Sequence, residues 1–474
     1  MKTIKYFTMA ALALLMTTAC SNDDNDMSSA EPQQAQGITI TAQLAPKEGG
    51  VTRAVYEDQY GTLKAMWEEN EQIAIFYGNY MSIARVTAVD EYDRSATIEF
   101  TVEPGTVDGT ACTLVYPASA ADIYNGVVKN YEELFDTQTG LLTDNLDVRQ
   151  CSGSIQVTEP GLTLDEQPQP QFSIFKLLPE YVSGSDLWPV TLSFSDDQGN
   201  VITTATRPDP DHLENYAFYV ALPPLTAGVY WFTATDHLGF PYIARVSLGS
   251  ATVAGKFYAS TVKMATLGDV VLSDGKFAER TTANAQAVIA YIGTVDKYFK
   301  HYLAIAPEDA NSAGGLDWNS AMGAVGTYAT DHPITIGGTT YGSNATGTSR
   351  YDMVEDDVTT TSATAATLKQ GWRLPSVTDW RYILDGLGRI GGGLTLTDGT
   401  NAVTPTSPLG ISYPMVYRVG DDNSALQQAL GMNYKYWSSS EYDSTYSWYY
   451  DFISGKFSVS VKSMPYVVRP VFAY

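Results

Sequence analysis

Three stretches of this chain alternate apolar and polar residues with a strict period of two. Ile38, Ile40, Ala42 and Leu44 alternate with Thr39, Thr41 and Gln43. Ala96, Ile98, Phe100 and Val102 alternate with Thr97, Glu99 and Thr101, and Tyr216, Phe218, Val220 and Leu222 repeat the pattern. Successive side chains of a strand point to opposite faces, so such a run buries one face and needs a second layer to bury it against. The runs are short and are punctuated by turn signals such as Asp108-Gly109, Gln198-Gly199 and Pro223-Pro224. Short alternating strands at this spacing predict antiparallel β-sandwiches. The pattern extends from Ile38 to about Lys263, long for one small sandwich. Two in series are therefore expected, at 37–155 and 156–265. The stretch TEPGLTLDEQPQPQ, between Cys151 and Pro170 in the main, reads as the linker.

The texture changes at Gly268. GDVVLSDGKF predicts a strand and turn, and residues 287–293 and 302–306 are apolar enough for buried strands. A helix is expected between about Asp317 and Tyr328, and residues 331–366, rich in Gly, Thr and Ser, are expected to form surface loops. Then comes GWRLPSVTDW, 371–380. Pro375 biases Leu374 to an extended shape. Ser376 and Asp379 have capping-box spacing, which marks a helix start. Trp380, Ile383, Leu384 and Leu387 follow at i, i+3, i+4 and i+7 as one apolar stripe, and Gly388 with Gly391–Gly393 ends it. The segment from Tyr436 alternates again, with turns at Ser454-Gly455 and Ser463–Pro465, and predicts two or three closing antiparallel strands. Residues 266–474 thus form a third, α+β domain.

Charge narrows the partners. The formal net charge is −25, so neutralising a phosphate backbone is excluded, and nucleic acid with it. Charged residues are 17% of the chain, below the roughly 25% of an average soluble protein, while 32 residues are tyrosine. That palette suits extracellular β proteins. The start agrees with it. Lys2 and Lys5 precede an apolar run from Tyr6 to Met16, then Thr17-Thr18-Ala19 and Cys20. This is the layout of a signal peptide, residues 1–19, with Cys20 as a lipidated first residue. Thr17 stands where the lipoprotein pattern favours Leu, and an ordinary secreted protein is the alternative. Residues 20–36, with the acidic run Ser21–Asp26, read as a flexible tether. Export leads to an oxidising space, so Cys112 and Cys151 form either a disulfide or two buried free thiols.

Four motifs come in a recognisable order: Gly268-Asp269 with Asp274-Gly275, Gly371-Trp372-Arg373-Leu374-Pro375 with Trp380, Tyr436-Trp437-Ser438-Ser439-Ser440-Glu441, and Val468-Arg469-Pro470-Val471. Their order resembles the Fibrobacter-type major paralogous domain, which implies a fold similar to C-type lectins and formylglycine-generating enzymes. The N-terminal half resembles Bacteroides-type fimbrillins, subunits of type V pili, through the lipoprotein start, the strand at 38–44, VTRAVYED at 51–58 and WEENEQIAIF at 67–76. That resemblance implies two transthyretin-like sandwiches in series. It also implies surface export through the outer membrane with lipid on Cys20, and cleavage between Arg53 and Ala54. Cutting there would free the first strand and open an apolar groove with a bare backbone edge for a strand of another subunit. A solvated loop arginine is the alternative reading of Arg53.

No HExxH, GxSxG or phosphate-loop pattern is present, and His212, His237, His301 and His332 are scattered. The formylglycine-generating relatives work through cysteines, and 268–474 contains none, so no enzyme is expected. Glu355, Asp356 and Asp357, and Asp421 with Asp422, are weak candidates for Ca²⁺; otherwise no cofactor is expected. Tyr442, Tyr446, Trp448, Tyr449 and Tyr450 are the candidate surface for a glycan or protein ligand, with core filling as the alternative. Trp372, Arg373, Pro375, Ser376, Asp379, Trp380, Trp437 and Arg469 read as structural framework, with Arg373 or Arg469 expected to pair with Asp379 or Glu441. The reading that results is a surface pilus-tip subunit with a lectin-like head, whose partners are other pilin subunits and an unknown glycan or protein. The alternative is an uncleaved, lipid-anchored base or accessory pilin.

Overall fold

The computed structural model describes residues 37–46, 56–57, 63–64, 67–92, 94–135, 137–141, 146–208, 217–294, 299–311, 314–341, 370–388, 397–398, 417–418, 434–442, 444–452 and 456–474. The fold is mainly β, with sheets wrapped around apolar cores.

The first sheet runs in space Ile38–Leu44, Ala96–Val102, Tyr80–Val89, Gln72–Tyr77, Thr110–Tyr116, Arg149–Gln156, Gly161–Leu164, all antiparallel. It curls until its last strand lies against its first. The alternate residues Ile40, Ala42, Leu44, Ile98, Phe100 and Leu114 fill one core with Ile73, Ile75 and Ile155. The stretch expected to be a linker is part of this sheet: Gly161–Leu164 and Gln169–Pro170 both pair with Arg149–Gln156. Gly153 permits it, because a Cβ there would come within 2.5 Å of the Thr163 carbonyl oxygen.

The second sheet has eight strands in the order Thr137–Gln138, Val201–Thr206, Thr191–Asp196, Gly228–Thr235, Pro241–Leu248, Phe257–Thr266, Ser173–Tyr181, Phe218–Leu222. Two of its pairings are parallel, Thr137–Gln138 with Val201–Thr206 and Ser173–Tyr181 with Phe257–Thr266, where purely antiparallel pairing was expected. Parallel neighbours need long crossovers, which alternation alone cannot reveal. The buried Gln138 amide joins the two ends of this sheet. It donates to the Ala221 carbonyl at 3.0 Å and to Thr203 Oγ1 at 2.9 Å, and accepts from the Ala221 N–H at 2.8 Å. The Tyr219 N–H donates to the Gly140 carbonyl beside it.

Beyond Gly268 a six-stranded sheet runs Phe277–Ala278, Val270–Val271, Ala287–Ile292, Tyr302–Ile305, Val471–Ala473, Gly371–Arg373. A three-stranded sheet, Lys435–Glu441, Tyr446–Asp451, Lys456–Val461, stands beside it with helices Trp318–Asp331 and Val377–Gly388. Part of the region expected as loops is a hairpin, Ile334–Ile336 with Thr339–Tyr341. The last strand does not continue the closing meander. Val471–Ala473 crosses to the larger sheet and lies between Tyr302–Ile305 and Gly371–Arg373. This part is also fastened to the second sheet. Trp231 stacks on His301 with ring centres 4.3 Å apart, and Asp197 accepts from Trp231 Nε1 and from the Tyr474 hydroxyl, each at 3.0 Å.

Candidate functional site

The first strand is the feature of the N-terminal sheet with the clearest functional geometry. Ile38–Leu44 hydrogen-bonds one neighbour only, Ala96–Val102, in seven register pairs from Ile38↔Val102 to Leu44↔Ala96. Its outer backbone edge is not part of any ladder among the described strands. Its inner face drives Ile40, Ala42 and Leu44 into the core, where Leu44 and Ile40 are fully buried. Just beyond it, Trp67 Nε1 donates to the Ala45 carbonyl at 3.0 Å and so pins the point where the chain leaves the sheet. The side-chain burial of Ile40 and Leu44 stabilises this edge by about 1.5–3 kcal/mol each. Arg53 and Ala54, the expected cleavage pair, lie outside the described residues, as do Cys20, Glu355, Asp356, Asp357, Asp421 and Asp422.

Cys112 and Cys151 are free, buried thiols and do not form the disulfide. In the register Cys151 faces Leu114, and Cys112 faces Gly153, so the two cysteines sit diagonally rather than opposite. Diagonal neighbours lie about 7–8 Å apart, beyond the usual span of a disulfide. Burial pushes the Cys112 thiol up to about 11 and the Cys151 thiol up to about 12.

In the C-terminal part, the GWRLPSVTDW stretch is a frame. Arg373 and Asp379 are both buried and paired twice, Nη2 to Oδ1 at 2.6 Å and Nε to Oδ2 at 3.1 Å. Asp379 also accepts from the Ser376 N–H at 2.9 Å, and Ser376 Oγ accepts from the Asp379 N–H at 3.0 Å. The helix is thus capped reciprocally. Trp380, Ile383, Leu384 and Leu387 pack on Ala290, Leu303 and Ile305. Trp372 Nε1 donates to the His332 carbonyl, Trp437 Nε1 to the Leu316 carbonyl, and Arg469 Nη1 to Asp309 Oδ1 at 2.9 Å. Burial raises the Asp309 carboxyl even though Arg469 beside it pulls the other way. These contacts lock strands and loops together and expose no reactive group.

The aromatic run expected to form a ligand surface is mostly core. Tyr450 is fully buried, Trp448 and Tyr449 are buried, Tyr442 is half-buried, and Tyr446 alone of the five is exposed, at 40%. The reason is the position of Tyr446–Asp451 as the middle strand of its sheet, with a packed layer on each face. Tyr449 belongs to one cluster, with Trp372, Trp437 and Phe472; Tyr450 belongs to another, with Trp380, Tyr436 and Phe452. Both parities of the alternation are therefore covered.

Sequence reasoning passed over a trough on the outer face of the first sheet. It measures about 570 Å³, and its lining includes Met81, Ile123 and Tyr124. Nothing in the periodicity marks it, because its lining includes small residues such as Ala111, Thr113 and Ser152. Among the described residues there is no group of three or more His, Cys, Asp or Glu side chains placed to hold a metal ion. No helix among them is long and apolar enough to cross a membrane.

No protein-family model matches the chain, and no curated protein matches it. Solved structures similar to it include a fimbrial protein from Bacteroides ovatus, 11% identical over 92% of this chain and 99% of that one, with a TM-score of 0.25. A putative cell adhesion protein from Bacteroides uniformis is 12% identical over 52% of this chain and 99% of that one, TM-score 0.27. A fimbrial assembly protein from Parabacteroides distasonis is 12% identical over 48% of this chain and 91% of that one, TM-score 0.23. At identities and scores this low the likeness carries no argument, and the functional reading rests on the residues described above.

Proposed function

We propose that this chain is a non-enzymatic, cell-surface fimbrial subunit that accepts a strand from a neighbouring subunit and occupies the filament tip. One observation carries the reading: the first and last strands are placed in opposite ways. Among the described strands, Ile38–Leu44 is held by one ladder, with Ile40, Ala42 and Leu44 in the apolar core, and it can leave without breaking another ladder among them. Val471–Ala473 is an inner strand with a partner on each side, and it cannot leave without splitting its sheet. A subunit built so can receive a strand while keeping Val471–Ala473 engaged in its own sheet, which suits a filament terminus. Strand addition works through main-chain hydrogen bonds for affinity and alternate side-chain pockets for register. The lipid on Cys20 and the cut between Arg53 and Ala54 supply the export and release steps of this reading. The C-terminal part is the head, turned to a glycan or protein outside the cell.

The mature N-terminus tests the cleavage step. Mass spectrometry of filament-associated protein is expected to find Ala54 first; a lipidated Cys20 on that protein indicates an uncleaved anchor instead. A chain lacking residues 268–474 is expected to stay at filament ends. If it builds the stalk, the tip assignment fails.

A further inference from the structure

We infer that the pocket at the Ala45–Pro46 end of the first strand seats an apolar side chain of the strand that arrives from a neighbouring subunit. The inference rests on the strand-acceptance reading above and names the end at which that strand is anchored. The pocket measures about 460 Å³, and its lining includes Ala45, Pro46, Trp67, Pro168 and Pro170. Ala45 and Pro46 follow Leu44 directly, so the pocket continues the place that the first strand fills. Pro46 stands two residues after Leu44, in the parity of the buried Ile40, Ala42 and Leu44. The opposite end is crowded. A Cβ on Gly37 would come within 2.6 Å of the Thr101 methyl carbon and 2.9 Å of the Val102 carbonyl oxygen. The contrast matters because alternation fixes register only in steps of two. A one-residue slip turns the polar set into the core, whereas a two-residue slip keeps the faces and shifts the strand by about 6–7 Å. A seat at one end and crowding at the other select one of those registers.

The walls are built by contacts that do not involve the first strand, so they outlast its departure. Trp67 stands edge-on to Tyr116, ring centres 5.2 Å apart, and both are buried. Gln169–Pro170 pairs with Arg149 and Gln150, and the Pro168 carbonyl accepts from Arg149 Nη1 at 3.3 Å. A seat formed in advance needs little ordering when the strand arrives. Its chemistry selects the occupant. Arg149 lies in the lining, but its Nε donates to both oxygens of the buried Asp147, at 2.8 and 3.0 Å, so its charge is already matched. Proline rings and an indole then favour an apolar side chain over a charged one. Trp67 Nε1, which donates to the Ala45 carbonyl, can take the corresponding main-chain carbonyl of the arriving strand in its place.

The test uses the full chain with a specific protease site at Arg53–Ala54, cut after folding so that the first strand stays in place without its covalent link. Fluorescein-labelled, acetylated peptides of the chain's own sequence GITITAQLAP, residues 37–46, are the probes, and their displacement of the cut strand is followed by anisotropy. The peptide carrying Pro46→Phe is expected to bind about tenfold tighter than the one carrying Pro46→Gly. Gly37→Val in the peptide is expected to weaken binding about fivefold, because of the crowding at that end. Trp67→Phe in the protein keeps a ring and removes the donor, and is expected to weaken every peptide about fivefold. If the parent peptide binds and Pro46→Phe is no tighter than Pro46→Gly, the seat is overturned while strand acceptance stands. Undiminished binding of Gly37→Val overturns the choice of register. If no peptide displaces the cut strand, strand acceptance itself fails and the seat fails with it.

Discussion

Asp379 concentrates several demands in one carboxylate. It neutralises a buried guanidinium, caps a helix through the Ser376 N–H, and is itself fully buried. Removing one member of such a pair leaves an uncompensated buried charge, at about 3–5 kcal/mol. Asp379→Ala is therefore expected to lower the stability of the C-terminal part by that amount, read from its urea unfolding midpoint. The two cysteines are the opposite case, groups kept inert by burial. With their thiols pushed up to about 11 and about 12, Cys112 and Cys151 are expected to resist iodoacetamide at mildly alkaline pH in the native protein. Both are expected to alkylate fully after denaturation without reductant; a mass showing a disulfide there contradicts the structure. The Ser376–Asp379 box was legible in the sequence because its geometry depends on a spacing of three along one helix turn. The diagonal placement of the cysteines was not legible, because it depends on the register of strands far apart in the chain.

At the level of elements, strand existence was readable and strand partners were not. Ile38–Leu44 and Ala96–Val102 occupy the bounds their alternation predicts, and Ile383, Leu384 and Leu387 face the core as their helical spacing requires. Glycine 386 lies in that helix where a Cβ would meet the Ala290 carbonyl oxygen, so the helix rests directly on the strand Ala287–Ile292. The parallel pairings of the second sheet, and the closure of its ends through Gln138, had no local signal. Gln138→Ala would leave the Ala221 N–H without its side-chain partner inside the sheet, while the Ala221 carbonyl keeps the Tyr131 hydroxyl as a donor. An orphaned buried group costs about 1–3 kcal/mol. Calorimetry of this variant is expected to show a lower unfolding temperature for the second sheet, with the helix-bearing part retaining its own.

Over the whole molecule, the second sheet and the C-terminal part meet through an aromatic joint centred on His301. Burial holds this imidazole down at about 4, from an ordinary 6.5, although the Asp197 carbonyl and the carboxylates of Asp196 and Asp197 favour its charged form and Lys300 opposes it. The unfolded chain then binds the extra proton first as pH falls. The stabilisation is complete above 6.5, declines from there to about 4, and is gone below that. His301→Gln is expected to flatten the dependence of unfolding temperature on pH within that window. An unchanged slope shows that the joint is not what titrates. A stiff joint also has a mechanical meaning for the proposed filament, since pull on the head passes to the second sheet through packed rings rather than through a loose tether.

What the sequence by itself determined is whatever depends on neighbours within a turn or a strand: the alternating runs, the capped helix with its apolar stripe, the turn positions, and a charge too negative for nucleic acid. The tertiary structure alone decided what lies against each face. Period-two spacing says which side chains share a side, and it is silent on whether a second layer covers the other side. That is why Tyr449 and Tyr450 are both buried, and why Val471–Ala473 ends inside a sheet begun far earlier in the chain. Strand order is settled by long-range burial and loop closure.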